Sequence, residues 1–369
     1  MSGAGQQLIE RIKKVTPSQT VRIMNVCGGH ERTITMAGLR AVLPPNIELI
    51  PGPGCPVCVC PEEDIYTAIS LAQQEDVILV TFGDMLRVPV NAPKTDVRSL
   101  EEARTRGAEI IPIASPLEAV ALAQQQPSRQ VVFFAAGFET TMAPIAAMLA
   151  EGVPDNLLLL LSGRKTWPAV EKLLTIDHNT CDALIAPGHV STVMGADEWR
   201  FVAERFHSPV AIAGFTPLSM LAAIASVLEQ LINKQPLLDN CYAEAVSPSG
   251  NDRAKQLLDQ VMKIDDSNWR GIGSIQASGF SLKPDYAKHD ARVKYQSLAS
   301  QARLHSGEMP PGCDCAAVLL GQCQPNACRL YGKACSPQSP IGPCMVSDEG
   351  ACRIWWNGGI RHNDRTASA

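Results

Sequence analysis

Seven of the chain's 13 cysteines lie between Cys313 and Cys352, in a segment rich in glycine and proline. A free cysteine packs like a small apolar side chain, so such density is explained by what sulfur reacts with rather than by packing. Cys323, Cys328, Cys335 and Cys352 are irregularly spaced, with Pro325, Gly332, Pro337, Pro340 and Gly342 between them. Loops broken in this way let four thiolates converge from different directions, which suits a [4Fe–4S] cluster or zinc. The spacing lacks the paired knuckles usual in structural zinc modules, which favours the iron–sulfur group. Cys313, Cys315 and Cys344 are then left over, available as thiols beside it, and Trp355 and Trp356 are placed to shield it from water.

A second group of sulfurs, Cys55, Cys58 and Cys60, sits in GPGCPVCVC, and Pro61-Glu62-Glu63 has the form of a helix start. Cys58 and Cys60 are expected close to that helix N-terminus, whose partial positive charge favours thiolate over thiol, and the C-x2-C pair Cys55 and Cys58 is a candidate redox dithiol. The competing reading is half of a zinc site, completed by Cys27 and His30. Cys27 lies at the end of an apolar run and is followed by Gly28 and Gly29, an uncrowded position suited to a metal ligand or a nucleophile. His30, His189, Asp84, Arg87 and Glu139 also occupy loops after such runs, as candidate acids, bases, anion clamps or caps.

The elements that must position these side chains are short Val/Ile/Leu runs alternating with helical patterns. Strands are expected at Val21–Val26, Ile47–Ile50, Val77–Phe82, Glu109–Ile113, Val131–Ala135, Leu157–Leu161, Ala183–Ala186 and Val210–Ala213. Helices are expected at Ile65–Gln74, Leu117–Gln125, Met142–Ala150, Ala169–Leu174 and Pro217–Asn233. The alternation implies an α/β protein with two parallel-sheet α/β domains flanking a cleft, plus a Cys-rich iron–sulfur domain. The expected boundaries are 1–126, 127–235 and 236–369, and loops after strand C-termini should line the cleft. A net charge of −5 with no basic run argues against nucleic acid. The N-terminus lacks the apolar core of a secretory signal, and Ala211–Ile232, interrupted by Pro217 and Glu229, suits a buried helix better than a membrane span. A cytoplasmic protein with reduced or metal-bound thiols is expected.

In order along the chain, VCGGHE (Val26–Glu31), GPGCPVC (Gly52–Cys58), TFGDMLRVP (Thr81–Pro89), GFETTMAP (Gly137–Pro144), APGHVSTVMG (Ala186–Gly195), the Trp269–Gly273 segment and MVSDEGAC (Met345–Cys352) resemble the HypD family of hydrogenase maturation factors. The resemblance implies a scaffold on which the Fe(CN)2CO fragment of [NiFe]-hydrogenase is assembled. The chain would be monomeric alone and act in a complex with the small chaperone HypC and with HypE, which delivers cyanide. It further implies that Cys27 holds the transient iron with its CN and CO ligands, that Cys55 and Cys58 are the redox pair, and that the C-terminal domain carries a [4Fe–4S] cluster; the loop position of His189 makes it the expected nitrogen contact for that iron. Cys60 and the Cys313/Cys315 doublet depart from the family pattern. A cluster-dependent protein disulfide reductase and a zinc-stabilised binding module are the readings left beside this one.

Overall fold

A computed structural model describes residues 3–93, 95–176, 181–303 and 309–361. Among the described residues eleven strands lie between helices, the last two forming a hairpin: β1 Val21–Asn25, β2 Ile47–Pro51, β3 Val77–Phe82, β4 Ile110–Ile113, β5 Gln130–Gly137, β6 Leu157–Arg164, β7 Ala183–Pro187, β8 Val210–Ala213, β9 Leu238–Asn240, β10 Met262–Trp269 and β11 Gly273–Leu282. The runs at β3, β5, β6, β7 and β8 are buried along almost their whole length. Strands covered on both faces read as continuous apolar runs rather than alternating ones, which is why they stand out in the sequence.

These strands form two mostly parallel sheets, as expected from the alternation. One has the order β2-β1-β7-β8-β9 and the other β10-β11-β6-β5-β3-β4. Every pairing in the first sheet is parallel, whereas β11 runs antiparallel to both β6 and β10 in the second.

The sheets cut across the divisions expected at 126 and 235. The first sheet takes β1 and β2 from before residue 126 and β7, β8 and β9 from well after it, while β4 and β5 on either side of that boundary both join the second. Residues 236–282 contribute β9 to one sheet and the β10–β11 hairpin to the other, so the Cys-rich segment proper begins beyond them. Local hydrophobic runs identify strands but carry no information about which sheet a crossover returns to.

This topology positions the candidate loops. In the first sheet the chain leaves β1 for β2 in one direction and β7 for β8 in the other, so the strand order reverses between β1 and β7. In the second sheet it reverses between β3 and β5. Crevices open at the carboxyl ends of strands flanking such a reversal. The Cys27 and His189 loops follow β1 and β7, and the Asp84 and Glu139 loops follow β3 and β5.

Candidate functional site

Cys27 caps the helix Gly28–Met36 in extended backbone and is only 8% exposed. Burial pushes its thiol up to about 12, against the opposing pull of the His30 and Gly29 amides at the helix start. The next residue must be glycine: a Cβ at Gly28 would lie 2.5 Å from Cβ of Glu349. The Cys-rich tail therefore sits directly against the Cys27 loop. Gly28 N also donates to Gly54 O at 3.2 Å, joining this loop to the segment carrying Cys55 and Cys58.

His30 is wholly buried, its Nε2 2.8 Å from Ala213 O and its Nδ1 without a hydrogen-bond partner among the described residues. Burial lowers its pKa to about 4, so the ring is neutral at pH 7. The His189 ring stacks on Phe215 at 3.9 Å and His30 packs on the same ring at 5.1 Å. Gly29, Arg32, Thr33, His189 and Phe215 share one open depression beside Cys27. Phe215 has no reading of its own in the sequence; its signal is that it follows β8 and Gly214, the same strand-then-glycine arrangement as the other loops.

Cys55 and Cys58 are joined as a disulfide, 3% and 0% exposed. Cys55 caps the short helix Pro56–Val59 and its Sγ accepts from Cys58 N at 3.2 Å. The helix Glu62–Ala72 follows, with Glu62, Glu63 and Asp64 in its first turn. Cys60 lies between the two helices with its sulfur 3.3 Å from Ser162 Oγ, and burial pushes its thiol up to about 12.

Asp84 joins this region from the second sheet through a 3.4 Å contact with Ser347 Oγ, and burial raises its carboxyl above the usual carboxylate range. The Glu349 carboxyl is raised as well, by the protein packed around it and by Asp84, although part of the side chain reaches water. Arg87 clamps the tail instead, donating to Pro337 O at 3.0 Å. Glu139 is turned to a different task. Its two oxygens accept from Thr166 N and Thr166 Oγ1, both at 2.7 Å, and its charged neighbours are Lys165 and Glu198.

In the tail, the sulfurs of Cys315, Cys344 and Cys352 lie within 4.8 Å of one another, all buried. Cys313 Sγ is 3.2 Å from Cys315 Sγ, and Cys328, Cys335, Cys344 and Cys352 all feel the Cys313 charge. Cys328 and Cys335 are 5% and 6% exposed, and Cys335 Sγ accepts from Ile341 N. Of the four expected ligands, Cys352 is in the tight group, and Cys328 and Cys335 are buried within reach of Cys313. Cys323, half-buried as Cys313 is, has its sulfur turned to Gln324 O at 3.2 Å.

The donor set fits a sulfur-ligated metal group. It is all thiol, and a Cβ at Gly342 would fall 2.5 Å from Cys313 Sγ and 2.6 Å from Cys315 Sγ, so the backbone is bared to bring the sulfurs in. Soft donors of this kind select iron–sulfur or zinc over hard cations.

The tail is locked to the Cys27 helix by Glu31, a residue of the VCGGHE segment to which sequence reasoning gave no role. Buried Glu31 accepts from Trp355 Nε1 at 2.6 Å, Arg40 Nη2 at 2.8 Å and Asn25 Nδ2 at 2.9 Å. Trp355 is thus an anchor as well as a cover, while Trp356 packs on Tyr331 and under Arg361. The helix Pro343–Val346, carrying Cys344, packs on the helix Pro56–Val59, carrying Cys58. Three sulfur sites, at Cys27, Cys55–Cys58 and the tail, therefore meet at one junction.

A family model described as "HypD: Hydrogenase formation hypA family" matches residues 4–359. The chain is 40% identical over 360 residues to the hydrogenase maturation factor HypD of Escherichia coli, covering 95% of this chain and 94% of that protein. It is 40% identical over 364 residues to HypD2 of Bradyrhizobium diazoefficiens, covering 95% and 93%. It is 38% identical over 361 residues to HypD of Azotobacter vinelandii, with the same coverage. With its sulfur sites converging and residues 4–359 matched, the chain belongs to the HypD family of hydrogenase maturation factors.

Proposed function

We propose that the protein is the iron–sulfur scaffold on which the Fe(CN)2CO fragment of [NiFe]-hydrogenase is built, working with a HypC-type chaperone and with HypE as cyanide donor. The observation that carries this reading is the junction itself, where the tail carrying Glu349 closes directly on Gly28 beside Cys27. Iron bearing cyanide and carbon monoxide is held well by thiolate. Cys27 is the protein's thiolate for this cargo. Its burial raises the free thiol's pKa, so loss of the proton accompanies iron binding. His189, stacked on Phe215 at the exposed rim, is the proposed nitrogen contact for the cargo, while the Nε2 of His30 is committed to Ala213 O.

The tail group is assigned to Cys313, Cys328, Cys335 and Cys352, with Cys313 in place of Cys323 because, although both are half-buried, the sulfur of Cys313 lies 3.2 Å from that of Cys315 in the tight group while that of Cys323 turns to Gln324 O. A [4Fe–4S] cluster bound there supplies electrons one at a time. Cys55 and Cys58 cycle between disulfide and dithiol, a two-electron change. Their burial weighs against the disulfide-reductase reading, since a large protein disulfide has no path to either sulfur in this state.

The test is infrared spectroscopy on the anaerobically purified chain co-expressed with the other maturation factors. Cyanide and carbonyl stretches that travel with the chain are expected. A chain that captures the small chaperone yet never carries those bands would sink the scaffold reading, and rapid turnover of protein disulfides would replace it with the reductase.

A further inference from the structure

The Trp269–Gly273 segment, at the turn between β10 and β11, is used by neither the cargo site nor the tail ligands. Its Arg270 is buried, with a side chain 0% exposed. Arg270 N donates to Val59 O at 2.9 Å, between Cys58 and Cys60 in sequence. Nη2 donates to Pro89 O at 2.8 Å, and the nearest carboxylate oxygen, Glu62 Oε1, is 3.7 Å away. Nε and Nη1 have no hydrogen-bond partner among the described residues. On the other side of the loop, a Cβ at Gly271 would lie 2.7 Å from Cβ of Ala316, the neighbour of Cys315. The loop carrying this guanidinium therefore sits where the Cys58 helix and the first tail thiols come together.

A buried cation costs several kcal/mol unless paired and fully hydrogen-bonded. Glu62 at 3.7 Å is beyond hydrogen-bond distance of Arg270, and its Oε1 is already taken by Asn91 N. The arrangement is intelligible if a further negative charge belongs beside Arg270. We propose that Arg270 is the internal counter-charge of the sulfur-ligated group in the tail, a positioning residue that raises that group's reduction potential and so sets it relative to the Cys55–Cys58 couple. The inference rests on the reading that the tail holds an iron–sulfur group. Reduction of such a group takes one electron, here from dithionite, and no proton. Its negative charge grows by one, and a fixed cation nearby favours the reduced form.

The test is a potentiometric titration of the iron-reconstituted full chain, followed by visible and electron paramagnetic resonance spectra. Arg270→Gln should move the midpoint to more negative potential by at least a tenfold change in the reduction equilibrium constant, which is 59 mV for one electron. Arg270→Lys should restore part of the shift. Glu62→Gln, which removes the competing anion, should move the midpoint the other way. A cluster-loaded Arg270→Gln protein with the wild-type midpoint overturns the inference. If that variant does not fold, Glu62→Gln decides: an unchanged or more negative midpoint overturns it. A wild-type chain that takes up no iron–sulfur group instead overturns the reading on which the inference rests, and the inference with it.

Discussion

After β1 the chain turns through Cys27 into the helix Gly28–Met36, and after β5 it turns through Phe138 into the helix Glu139–Glu151. Both loops follow a buried parallel strand, both carry glycine, and both lie at a reversal of strand order. The first leaves Cys27, the proposed iron ligand, at a junction with two other parts of the chain. The second spends its carboxylate on Thr166, tying the start of one helix to the start of the next. The same strand–glycine–helix plan thus yields a buried thiol at a junction of segments in one sheet and a hydrogen-bonded latch in the other. What distinguishes them is the approach of a remote segment: the tail reaches Gly28 through Glu349, while the hydrogen bonds of Glu139 stay within the loops of its own sheet.

The largest effect that sharpens this contrast is at Cys27. Cys27→Ala should fold, retain the tail group, and show no cyanide or carbonyl infrared bands. Wild-type-like bands would place the cargo elsewhere and remove the contrast between the loops. The conservative change Glu139→Gln should, by comparison, keep the bands, because its amide oxygen can still accept from Thr166 N while its NH2 donates to Thr166 Oγ1.

The next effect separates the tail sulfurs from one another. Cys313→Ala and Cys352→Ala should each lose bound iron and visible absorption after anaerobic reconstitution, whereas Cys323→Ala should keep both. Full iron content in Cys313→Ala, with loss in Cys323→Ala, would return the ligand role to Cys323.

Strand positions and the parallel architecture were legible because buried β-strands are continuous apolar runs, as at β5 and β6. Sheet membership was not legible: β7 and β8 join β1 across more than a hundred residues, and nothing local to those runs records the crossover. Among the cysteines, Cys27 was expected at a strand end, where it lies, whereas the short helix Pro56–Val59 that Cys55 caps was not expected ahead of the one that Pro61 begins. The tail thiols are held by short turns, where spacing alone does not separate Cys313 from Cys323. Glu31 was hidden for a related reason, since its partner Trp355 is 324 positions away.

A smaller effect tests how firmly the tail is held to the Cys27 helix. Trp355→Phe keeps most of the apolar bulk and removes the indole N–H that Glu31 accepts. Hydrogen bonds to charged groups contribute about 1.5–3 kcal/mol, so denaturant unfolding should show a loss of that order. The Cys27 infrared bands should weaken along with it if docking of the tail completes the site. Unchanged stability would mean that Arg40 and Asn25 alone satisfy Glu31.

The smallest effect lies on the latch side, at Glu198, which shares the surroundings of Glu139. Burial first, and the Glu139 charge second, push its carboxyl up to about 7 from an ordinary value of 4.5, with Lys165 pulling the other way. Between those two values the native state holds a proton that the unfolded chain has released. This contribution to stability is therefore complete below about pH 4.5, declines as the pH rises to about 7, and is lost above it. One such group changes stability by at most about 1.4 kcal/mol per pH unit. Glu198→Gln removes the titration, so thermal midpoints measured from pH 5 to 8 should fall less steeply than in the wild type, and the variant should gain most at pH 8. An identical slope in the two proteins would show that Lys165 keeps Glu198 ionised throughout and that the carboxylates beside Thr166 do not compete for charge.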